Sequence, residues 1–374
     1  MKIVHFIMGK ANPNRSNGVN QVIYAFAKYQ SLMGNEVVVV GISKSMYIDY
    51  EKVDRDYFEV HAFKSFWDGG FSFLSKVVRE CDIVHLHGVW NTYNIIVGRF
   101  CEKIRKPYVI TSHGGYSENN LRNSNYWIKI LYHKLLQKRL YEKSSGIQAF
   151  TYEESSYISR YCKSNNIFVL PNGIECSLIS THYNVNEQKD KLTCGFLGRF
   201  SKEKNVLGLI KAFSLLPKEI LKNFELRLIG PENQYSDFLK KEVKNLNLDE
   251  YIVFVGAKYG KDKERELLNM DLYIHPSFTE GFSMAIVEIL GYGIPSILTR
   301  TSNISYYYNS QAFYMAEPTV FSLSNAILEA YNDRSSWEKK SKAAIKLVEE
   351  QLNWEIIVKK LLDEYNKILK RGNI

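Results

Sequence analysis

Short apolar runs rich in β-branched residues alternate with longer helical patterns along the whole chain. This alternation is typical of parallel α/β architecture with buried strands, and it predicts two sheets. The predicted strands of the first half are residues 3–7, 37–40, 83–86, 108–111, 147–150 and 167–170. Those of the second half are residues 192–196, 226–229, 252–255, 272–274 and 296–298.

The segments between these strands carry one apolar face each. Val22, Phe26, Tyr29 and Met33 follow one another at steps of four, three and four residues, which predicts a helix lying on the first sheet. A similar pattern predicts a last helix within residues 354–374.

The length of 374 residues exceeds what one hydrophobic core usually supports. Pro171, Asn172 and Gly173 are strong turn formers and stand where the first set of strands is complete. We therefore predict an N-terminal domain over residues 1–173 and a C-terminal domain over 174–353. We expect the last helix, 354–374, to pack back on the first domain.

The formal charge of +9 indicates an anionic partner. Neither zinc-finger spacing nor an RNA-binding aromatic signature is present, so nucleic acid is not the expected partner. Five scattered cysteines without C-x-x-C spacing predict free thiols in a reducing cytoplasm. No apolar run approaches the roughly 20 residues of a membrane span. We expect a cytoplasmic protein.

The stretch from His275 to Glu288 carries the strongest chemical signal. It runs from a predicted strand through a turn into a helix, and open α/β sheets bind ligands at the carboxyl ends of their strands. The free amides near Phe282, Ser283 and Met284 are predicted to seat a diphosphate at the positive end of the helix dipole.

Glu280 and Glu288 stand eight residues apart in this stretch. Along a helix that is about 12 Å, beyond the roughly 5 to 9.5 Å that separates the carboxylates of a glycosidase. Glu280 is expected to bind sugar hydroxyls, and Glu288 to accept hydrogen bonds from a ribose. The alternative is structural: Glu280 caps the helix and Glu288 is solvated.

Three further segments contribute candidate residues at strand ends. Arg199 and Lys204 leave one loop together and are predicted to bind diphosphate oxygens, whereas Lys202 is interpreted as a surface charge. The loop 14–19 brings the amide near Gly18 to a phosphate, although it lacks the dinucleotide-binding glycine spacing. His113 is predicted to contact a transferred sugar or an acceptor hydroxyl, with a structural role as the alternative. His85 and His87 are interpreted as structural.

Taken together, these residues resemble glycosyltransferase family 4, whose members are retaining enzymes with the two-domain GT-B fold. The E-x7-E motif formed by Glu280 and Glu288 carries most of this resemblance, with Arg199 and Lys204 as its second part. It implies two Rossmann-like doubly wound parallel-sheet domains that face each other across a cleft. It further implies that the N-terminal domain binds the acceptor and the C-terminal domain binds the nucleotide-sugar donor.

The resemblance implies that Arg199 and Lys204 hold the diphosphate, Glu280 the donor sugar and Glu288 the ribose, with His113 at the reaction centre. The implied reaction moves a hexose-type sugar from a nucleotide diphosphate, UDP- or GDP-linked, to a glycan or a polyprenyl-diphosphate-linked acceptor. The bacterial members that this chain resembles act in capsule and O-antigen synthesis. The acceptor attacks on the face from which the nucleotide leaves, and no metal or other cofactor is required.

Two observations leave alternatives open. Asp54 and Asp56 match the D-x-D pattern of metal-dependent transferases, but they lie far in sequence from the diphosphate residues, so we predict no metal site. Residues 126–143 combine apolar and basic side chains, which suits either contact with an anionic membrane at its inner face or a helix that covers the sheet.

Two rival functions remain at this point. A sugar-nucleotide 2-epimerase on the same fold would convert the donor without an acceptor. A catalytically silent subunit would bind the nucleotide sugar and stabilise a partner transferase.

Overall fold

A computed structural model of the chain describes residues 1–9, 18–42, 57–116, 125–164, 166–175, 177, 179 and 191–372. Its contacts divide the chain into two compact units. The N-terminal unit comprises Met1–Asn172 together with Trp354–Ile374, and the C-terminal unit comprises Gly173–Asn353. The observed division lies one residue before the boundary expected from the sequence.

The N-terminal unit is built on a parallel sheet. Its strands are β1 (Lys2–Ile7), β2 (Glu36–Ile42), β3 (Glu59–Phe63), β4 (Ile83–His87), β5 (Tyr108–Thr111), β6 (Gly146–Ala149) and β7 (Ile167–Val169). They form a seven-stranded sheet in the order β3-β2-β1-β4-β5-β6-β7. The chain moves outward from β1 to β3 and then returns to pair β4 with β1, so the topological switch lies between β1 and β4.

Helices connect these strands. They are Gly18–Leu32, Phe71–Glu80, Thr92–Lys103, Tyr126–Tyr132, Lys138–Glu142, Tyr152–Tyr161 and Trp354–Gly372, with π-helical turns at Phe66–Gly70 and His133–Gln137. The last helix returns to this unit and packs against the first one, where Trp354 meets Phe26 edge to face at 5.7 Å. The predicted last helix is therefore present.

The C-terminal unit repeats the same architecture. Its strands are β8 (Leu192–Leu197), β9 (Phe224–Ile229), β10 (Ile252–Gly256), β11 (Leu272–His275), β12 (Ser296–Thr299) and β13 (Tyr314–Ala316). They form a parallel six-stranded sheet in the order β10-β9-β8-β11-β12-β13. Its helices are Val206–Ser214, Lys218–Leu221, Gln234–Asn245, Gly260–Leu268, Met284–Gly291, Val320–Asn332 and Trp337–Gln351, with 3₁₀ turns at Lys202–Lys204, Arg300–Ser302, Ser305–Ser310 and Arg334–Ser336.

Two strands of the described residues were not predicted, and both lie at the edge of a sheet. β3 has no fully buried residue, and β13 is only three residues long. The central strands β1 and β4 are almost entirely buried, and their predicted parts, residues 3–7 and 83–86, are apolar except for one histidine each. An edge strand is covered less completely, so its residues need not form such a run.

Each unit has its own apolar core between the sheet and its helices. The four described cysteines, Cys81, Cys101, Cys162 and Cys194, are free and buried. None of the helices in the described part of the chain combines the length and apolar character that a bilayer crossing needs.

Candidate active site

Two loops of the C-terminal unit leave the sheet at its topological switch point. The chain continues from β8 through β9 to β10 and then crosses to β11, which pairs with the other side of β8. In open parallel sheets, ligands bind outside the carboxyl ends of the strands at this point. Arg199 and Lys204 follow β8, and Glu280 follows β11, so all three predicted side chains leave the same edge of the sheet.

Backbone hydrogen bonds fasten these two loops to each other. The Phe278 N–H donates to the Glu203 carbonyl at 2.9 Å, and the Asn205 side-chain amide donates to the Pro276 carbonyl at 3.0 Å. Asn205 adopts a left-handed conformation with φ of 52°, which asparagine tolerates better than most residues. Sequence reasoning missed Asn205, although an asparagine directly before an apolar helix is a recognisable signal.

Glu280 lies at the centre of a polar cluster. Its Oε1 forms an ion pair with the Lys204 ammonium and accepts hydrogen bonds from His275 Nε2 at 2.7 Å and from Ser277 Oγ at 2.9 Å. The carboxylate can only accept, so His275 carries its proton on Nε2, and its Nδ1 accepts from the Tyr273 hydroxyl at 2.9 Å. The cluster thus joins Lys204 to Glu280 directly, as the predicted common site requires.

The charge state of this cluster follows from its burial and its partners. Burial alone would raise the pKa of Glu280, but the hydrogen bond from His275 and the charge of Lys204 outweigh it and lower that pKa to about 2. Burial lowers the pKa of His275 despite the neighbouring carboxylate. At neutral pH the cluster therefore contains an ionised Glu280, a charged Lys204 and a neutral His275.

Arg199 stands apart from this cluster. It is exposed, and among the described residues no carboxylate forms an ion pair with it. Lys202, interpreted as a surface charge, is also exposed. Lys204 is therefore held by the protein, whereas the guanidinium of Arg199 faces solvent at the same loop.

The helix Met284–Gly291 begins beside this cluster. Ser283 occupies its N-cap position without a side-chain capping hydrogen bond, so the first amides of the helix are not satisfied by a cap. A Cβ added to Gly281 would meet nothing within 4 Å, which shows that space is open there. Asn303 holds this turn through its side-chain amide, which donates to the Glu280 and Gly281 carbonyls at 2.5 and 3.1 Å. Uncapped amides, the helix dipole and Lys204 together suit an anion.

Glu288 is neither solvated nor isolated. Its side chain is 12% exposed and forms an ion pair with Lys263, whose Nζ lies 2.7 Å from Oε1 and 2.9 Å from Oε2. The alternative of a solvated Glu288 is wrong. Sequence reasoning missed Lys263 because it is one of three closely spaced lysines in the segment after β10, and nothing in that spacing distinguishes it.

His113 stands at the carboxyl end of β5 in the N-terminal unit. It adopts a left-handed conformation with φ of 53°, and its Nε2 lies 3.0 Å from Nδ1 of His87. Burial lowers the pKa of His113 to about 3, so the ring is neutral at physiological pH. His87 Nε2 in turn lies 2.8 Å from Nδ1 of His5. The histidines at 85 and 87, interpreted as structural, thus lie in one buried cluster with His5, directly behind His113.

The ring nitrogens of His5, His85 and His87 lie within 4.8 Å of one another, close enough to suggest a metal centre. Both nitrogens of each ring, however, already take part in hydrogen bonds with neighbouring side chains. A metal ion would have to break these bonds, so we do not assign one. The D-x-D pair Asp54 and Asp56 lies outside the described residues.

Gly18 opens the first helix of the N-terminal unit, Gly18–Leu32. A Cβ added there would meet nothing within 4 Å. Residues 14–17 of the predicted phosphate loop lie outside the described residues. The structure therefore describes Gly18 only together with the helix that follows it.

Comparison with known proteins covers both units. Residues 181–347 match the family described as glycosyl transferases group 1, and residues 16–178 match glycosyltransferase family 4. The O-antigen chain mannosyltransferase B of Escherichia coli is 22% identical over 60% of this chain and 58% of its own length. The Staphylococcus aureus capsular polysaccharide biosynthesis glycosyltransferase CapM is 26% identical over 57% and 59%. The chain thus spans about three fifths of these relatives.

A solved structure agrees over nearly the full length. The Anabaena protein Alr3699/HepE, in complex with UDP and glucose, superposes with a TM-score of 0.75 at 16% identity and covers 98% of this chain and 100% of its own. At this identity the likeness establishes the fold, two Rossmann-like units of the GT-B type.

Proposed function

The chain belongs to the glycosyltransferases of family 4 and group 1, and on this premise we propose that it moves a sugar from a nucleotide diphosphate to an acceptor hydroxyl with retention of configuration. One observation carries the proposal. Lys204 and Glu280, from two different loops, meet at the switch point of the C-terminal sheet beside the uncapped start of Met284–Gly291. This unit is the proposed donor-binding domain, and the N-terminal unit the proposed acceptor-binding domain.

Three positively polarised or charged groups of the protein bind the diphosphate. The amides of Phe282, Ser283 and Met284 point the positive end of a helix dipole at it, and Lys204 supplies a fixed cation. Arg199, exposed on the same loop, adds a second cation when the donor binds. Together they neutralise the charge that develops on the departing nucleoside diphosphate.

Glu280 binds the donor sugar through acceptor contacts. Its Oε1 is occupied by three donors of the protein, so the carboxylate is fixed in place, and we assign its second oxygen to ligand hydroxyls. Its low pKa keeps it ionised and suited to accept hydrogen bonds, not to donate a proton. Glu288 binds the ribose, positioned by Lys263.

The proposed mechanism uses no protein nucleophile and no metal. The acceptor oxygen attacks the anomeric carbon on the face from which the nucleoside diphosphate departs, and a donor phosphate oxygen takes the acceptor's proton. His113 contacts the sugar as a neutral ring, in line with its lowered pKa. The low pKa values of His113 and Glu280 make both groups weak bases, which favours transfer of the acceptor's proton to the donor phosphate.

The donor and acceptor classes come from the similar proteins. The Anabaena structure contains UDP and glucose, which supports a UDP-linked hexose, with GDP as the other base to test. The relatives named for O-antigen and capsular polysaccharide synthesis support a glycan or polyprenyl-diphosphate-linked acceptor in bacterial surface polysaccharide assembly. For such an acceptor we expect the reaction to take place in the cytoplasm, at the inner face of the cell membrane.

The test begins with thermal stabilisation of the protein by a panel of UDP-, GDP-, ADP- and dTDP-sugars. The stabilising donor is then incubated alone and with lipid-linked or glycan acceptors, with and without chelator. Transfer only in the presence of acceptor supports the proposal. Conversion of the donor alone indicates a 2-epimerase, and binding without turnover indicates a silent subunit.

A further inference from the structure

The helical segment 126–142 of the N-terminal unit buries two polar side chains and exposes several large apolar ones. His133 and Gln137 are each 2% exposed, whereas Trp127, Leu131 and Leu135 are 79%, 58% and 69% exposed. A helix on the surface of a soluble protein normally has the opposite arrangement. The alternative that this segment covers the sheet with its apolar side chains is therefore wrong for these three residues.

A closed hydrogen-bond network fixes this rotation of the segment. The Tyr116 hydroxyl donates to His133 Nδ1 at 2.8 Å, and His133 Nε2 donates to the Tyr161 carbonyl at 2.9 Å. Gln137 donates to the Tyr116 oxygen at 2.8 Å and accepts from the Trp90 N–H at 3.0 Å. Turning the apolar residues inward would leave these buried groups unsatisfied, at a cost of about 1–3 kcal/mol each.

The charges of this segment are mostly basic. Residues 126–142 contain Lys129, Lys134, Lys138 and Arg139 and one acidic residue, Glu142, whose carboxylate lies 3.8 Å from the Lys138 ammonium. Arg139 is held at the side by an ion pair with Glu102 at 2.8 Å. Adjacent exposed apolar side chains are uncommon on soluble monomers and mark interaction sites.

We propose that the outward face, formed by Trp127, Ile128, Leu131, Lys134 and Leu135, docks on an anionic lipid bilayer. Apolar and aromatic side chains enter the interface between headgroups and acyl chains, while the lysines bind lipid phosphates. The charge pattern distinguishes this occupant from a second copy of the chain, because two identical cationic faces would repel each other. This inference concerns the location of the protein and does not depend on the proposed reaction.

The test is co-sedimentation of the whole protein with vesicles of phosphatidylcholine alone and with added phosphatidylglycerol, at low and high salt. Binding is expected only to the anionic vesicles and is expected to weaken with salt. The triple variant Trp127→Ser, Leu131→Ser, Leu135→Ser should lose binding while keeping its circular dichroism spectrum. Lys134→Gln should bind roughly fivefold more weakly, because one cation near an anionic surface contributes about that factor.

Phe321→Ser is the matched control, since Phe321 is an exposed aromatic residue, 75% accessible, in the C-terminal unit. This variant should bind as the wild type does. Equal binding by the triple variant, absence of binding at low salt, or a concentration-dependent dimer that the triple variant abolishes would each overturn the proposal.

A second, independent observation concerns the buried polar side chains behind His113. Three hydrogen bonds connect Gln30 to His113 through two histidines: His5 Nε2 to Gln30 Oε1 at 2.7 Å, His5 Nδ1 to His87 Nε2 at 2.8 Å, and His87 Nδ1 to His113 Nε2 at 3.0 Å. A neutral imidazole donates from one nitrogen and accepts at the other. If the donor and the acceptor are known for one of these hydrogen bonds, they are therefore known for all three.

A neighbouring chain of hydrogen bonds supplies this direction. It ends at the Leu170 carbonyl, which can only accept, and Gln148 Nε2 donates to it at 3.2 Å. Thr111 then donates to Gln148 Oε1 at 2.8 Å, and His85 Nε2 donates to Thr111 at 2.6 Å. His85 Nδ1 must accept, so the Tyr365 hydroxyl donates to it at 2.5 Å.

The Tyr365 oxygen, having donated its proton, can only accept from a further neighbour. Burial raises the pKa of Tyr365, and the neighbouring Gln30 side chain opposes this rise, although Gln30 Nε2 has no hydrogen-bond partner of normal geometry among the described residues. The Gln30 oxygen faces His5, with Oε1 2.7 Å from Nε2, so His5 donates to it. In consequence His5, His87 and His113 all carry their protons on Nε2.

We infer that Gln30 is a positioning residue that holds His113 as the Nε2-protonated tautomer, with Nδ1 available to accept a hydrogen bond from a ligand hydroxyl. Within the described residues, no side chain or backbone group donates to this Nδ1. That the hydroxyl belongs to the transferred sugar rests on the proposed function. The tautomer itself is a property of the free protein.

Nitrogen-15 NMR of the histidine-labelled full chain measures the tautomer directly. His113 should show a protonated Nε2 and an unprotonated Nδ1, assigned by the loss of its signals in His113→Asn. In Gln30→Met, which keeps the volume but removes the amide, His113 should become a mixture of both tautomers. His133, anchored by the Tyr161 carbonyl, is the internal control and should not change.

A protonated Nδ1 on His113 in the wild type, or an unchanged His113 in folded Gln30→Met, would refute the inference. If the tautomer is as inferred but no nucleotide sugar is turned over, the proposed function is wrong and the inferred role of Gln30 is still supported. Even an unfolded Gln30→Met leaves the wild-type spectrum as a decisive measurement.

Discussion

Replacing Glu280 with glutamine should destabilise the C-terminal unit in a pH-dependent way. The substitution keeps the shape of the side chain but removes the charge that Lys204 and His275 face. Because Glu280 is 11% exposed and Lys204 19% exposed, the unpaired ammonium would be held largely away from water. Breaking a buried pair by removing one partner costs about 3–5 kcal/mol, and the residual exposure of Lys204 places the expected loss near the lower limit.

The pKa of Glu280 gives an independent value for this loss. It is lowered to about 2 from an ordinary value of 4.5, which corresponds to about 3 kcal/mol at neutral pH. A lowered carboxyl pKa contributes stability that is fully present above the unfolded pKa and is lost as pH falls through the folded one. Of this contribution about 2 kcal/mol should already be lost at pH 3.

The measurement is urea unfolding of wild type and Glu280→Gln between pH 7 and pH 3. The difference in unfolding free energy should be about 3 kcal/mol at pH 7 and about 1 kcal/mol at pH 3. Glu232→Gln is the control, since it breaks an exposed pair with Lys240 and should cost less than about 1 kcal/mol. A difference for Glu280→Gln that stays constant over this pH range would refute the assigned electrostatics.

Four further outcomes are expected. Lys204→Met should weaken binding of the nucleoside diphosphate about 10- to 100-fold in a calorimetric titration, because it removes a charged hydrogen-bond donor; unchanged affinity would exclude Lys204 from the diphosphate site. Lys263→Met should weaken nucleoside binding in the same titration while binding of pyrophosphate alone stays unchanged, because Lys263 positions Glu288. His113→Asn should lower kcat without shifting the pH profile of kcat between about pH 5 and 8, because a group whose pKa is about 3 does not titrate there. Chelator should leave transfer activity unchanged, and a loss that added divalent ions restore would contradict the metal-independent mechanism.

The sequence predicted the central architecture because buried parallel strands are continuous apolar runs. Eleven strands were predicted, and the edge strands β3 and β13 were not. β3 contains His61, which pairs with the exposed Glu59 at 3.0 Å, so its pattern is that of a surface segment. An apolar pattern indicates that a segment is buried. An edge strand can form without being fully buried, so this pattern does not predict it.

The candidate site was predictable where residues follow a strand directly. Arg199, Lys204 and Glu280 share an edge because the carboxyl ends of parallel strands lie together. Asn205 carries a signal as the residue before an apolar helix, but its contact with Pro276 and that of Lys263 with Glu288 depend on how distant loops fold over the sheet.

The role of the histidines in β1 and β4 was also not predicted. His5 and His85 are partners in the register of these strands, and His87 follows two residues later on the same face. Pairing β1 with β4 from the sequence would have revealed the cluster. Its hydrogen-bond directions, however, depend on Tyr365, which is 280 residues away along the chain.

The diphosphate of the donor is proposed to lie against the start of the helix Met284–Gly291, where Lys204 binds it. This contact can be tested by hydrogen exchange of the backbone amides, followed by mass spectrometry with and without UDP or GDP. We expect slower exchange at Phe282, Ser283 and Met284 in the wild type, and loss of this protection in Lys204→Met. Protection that appears elsewhere while these amides exchange at their free rate would contradict it.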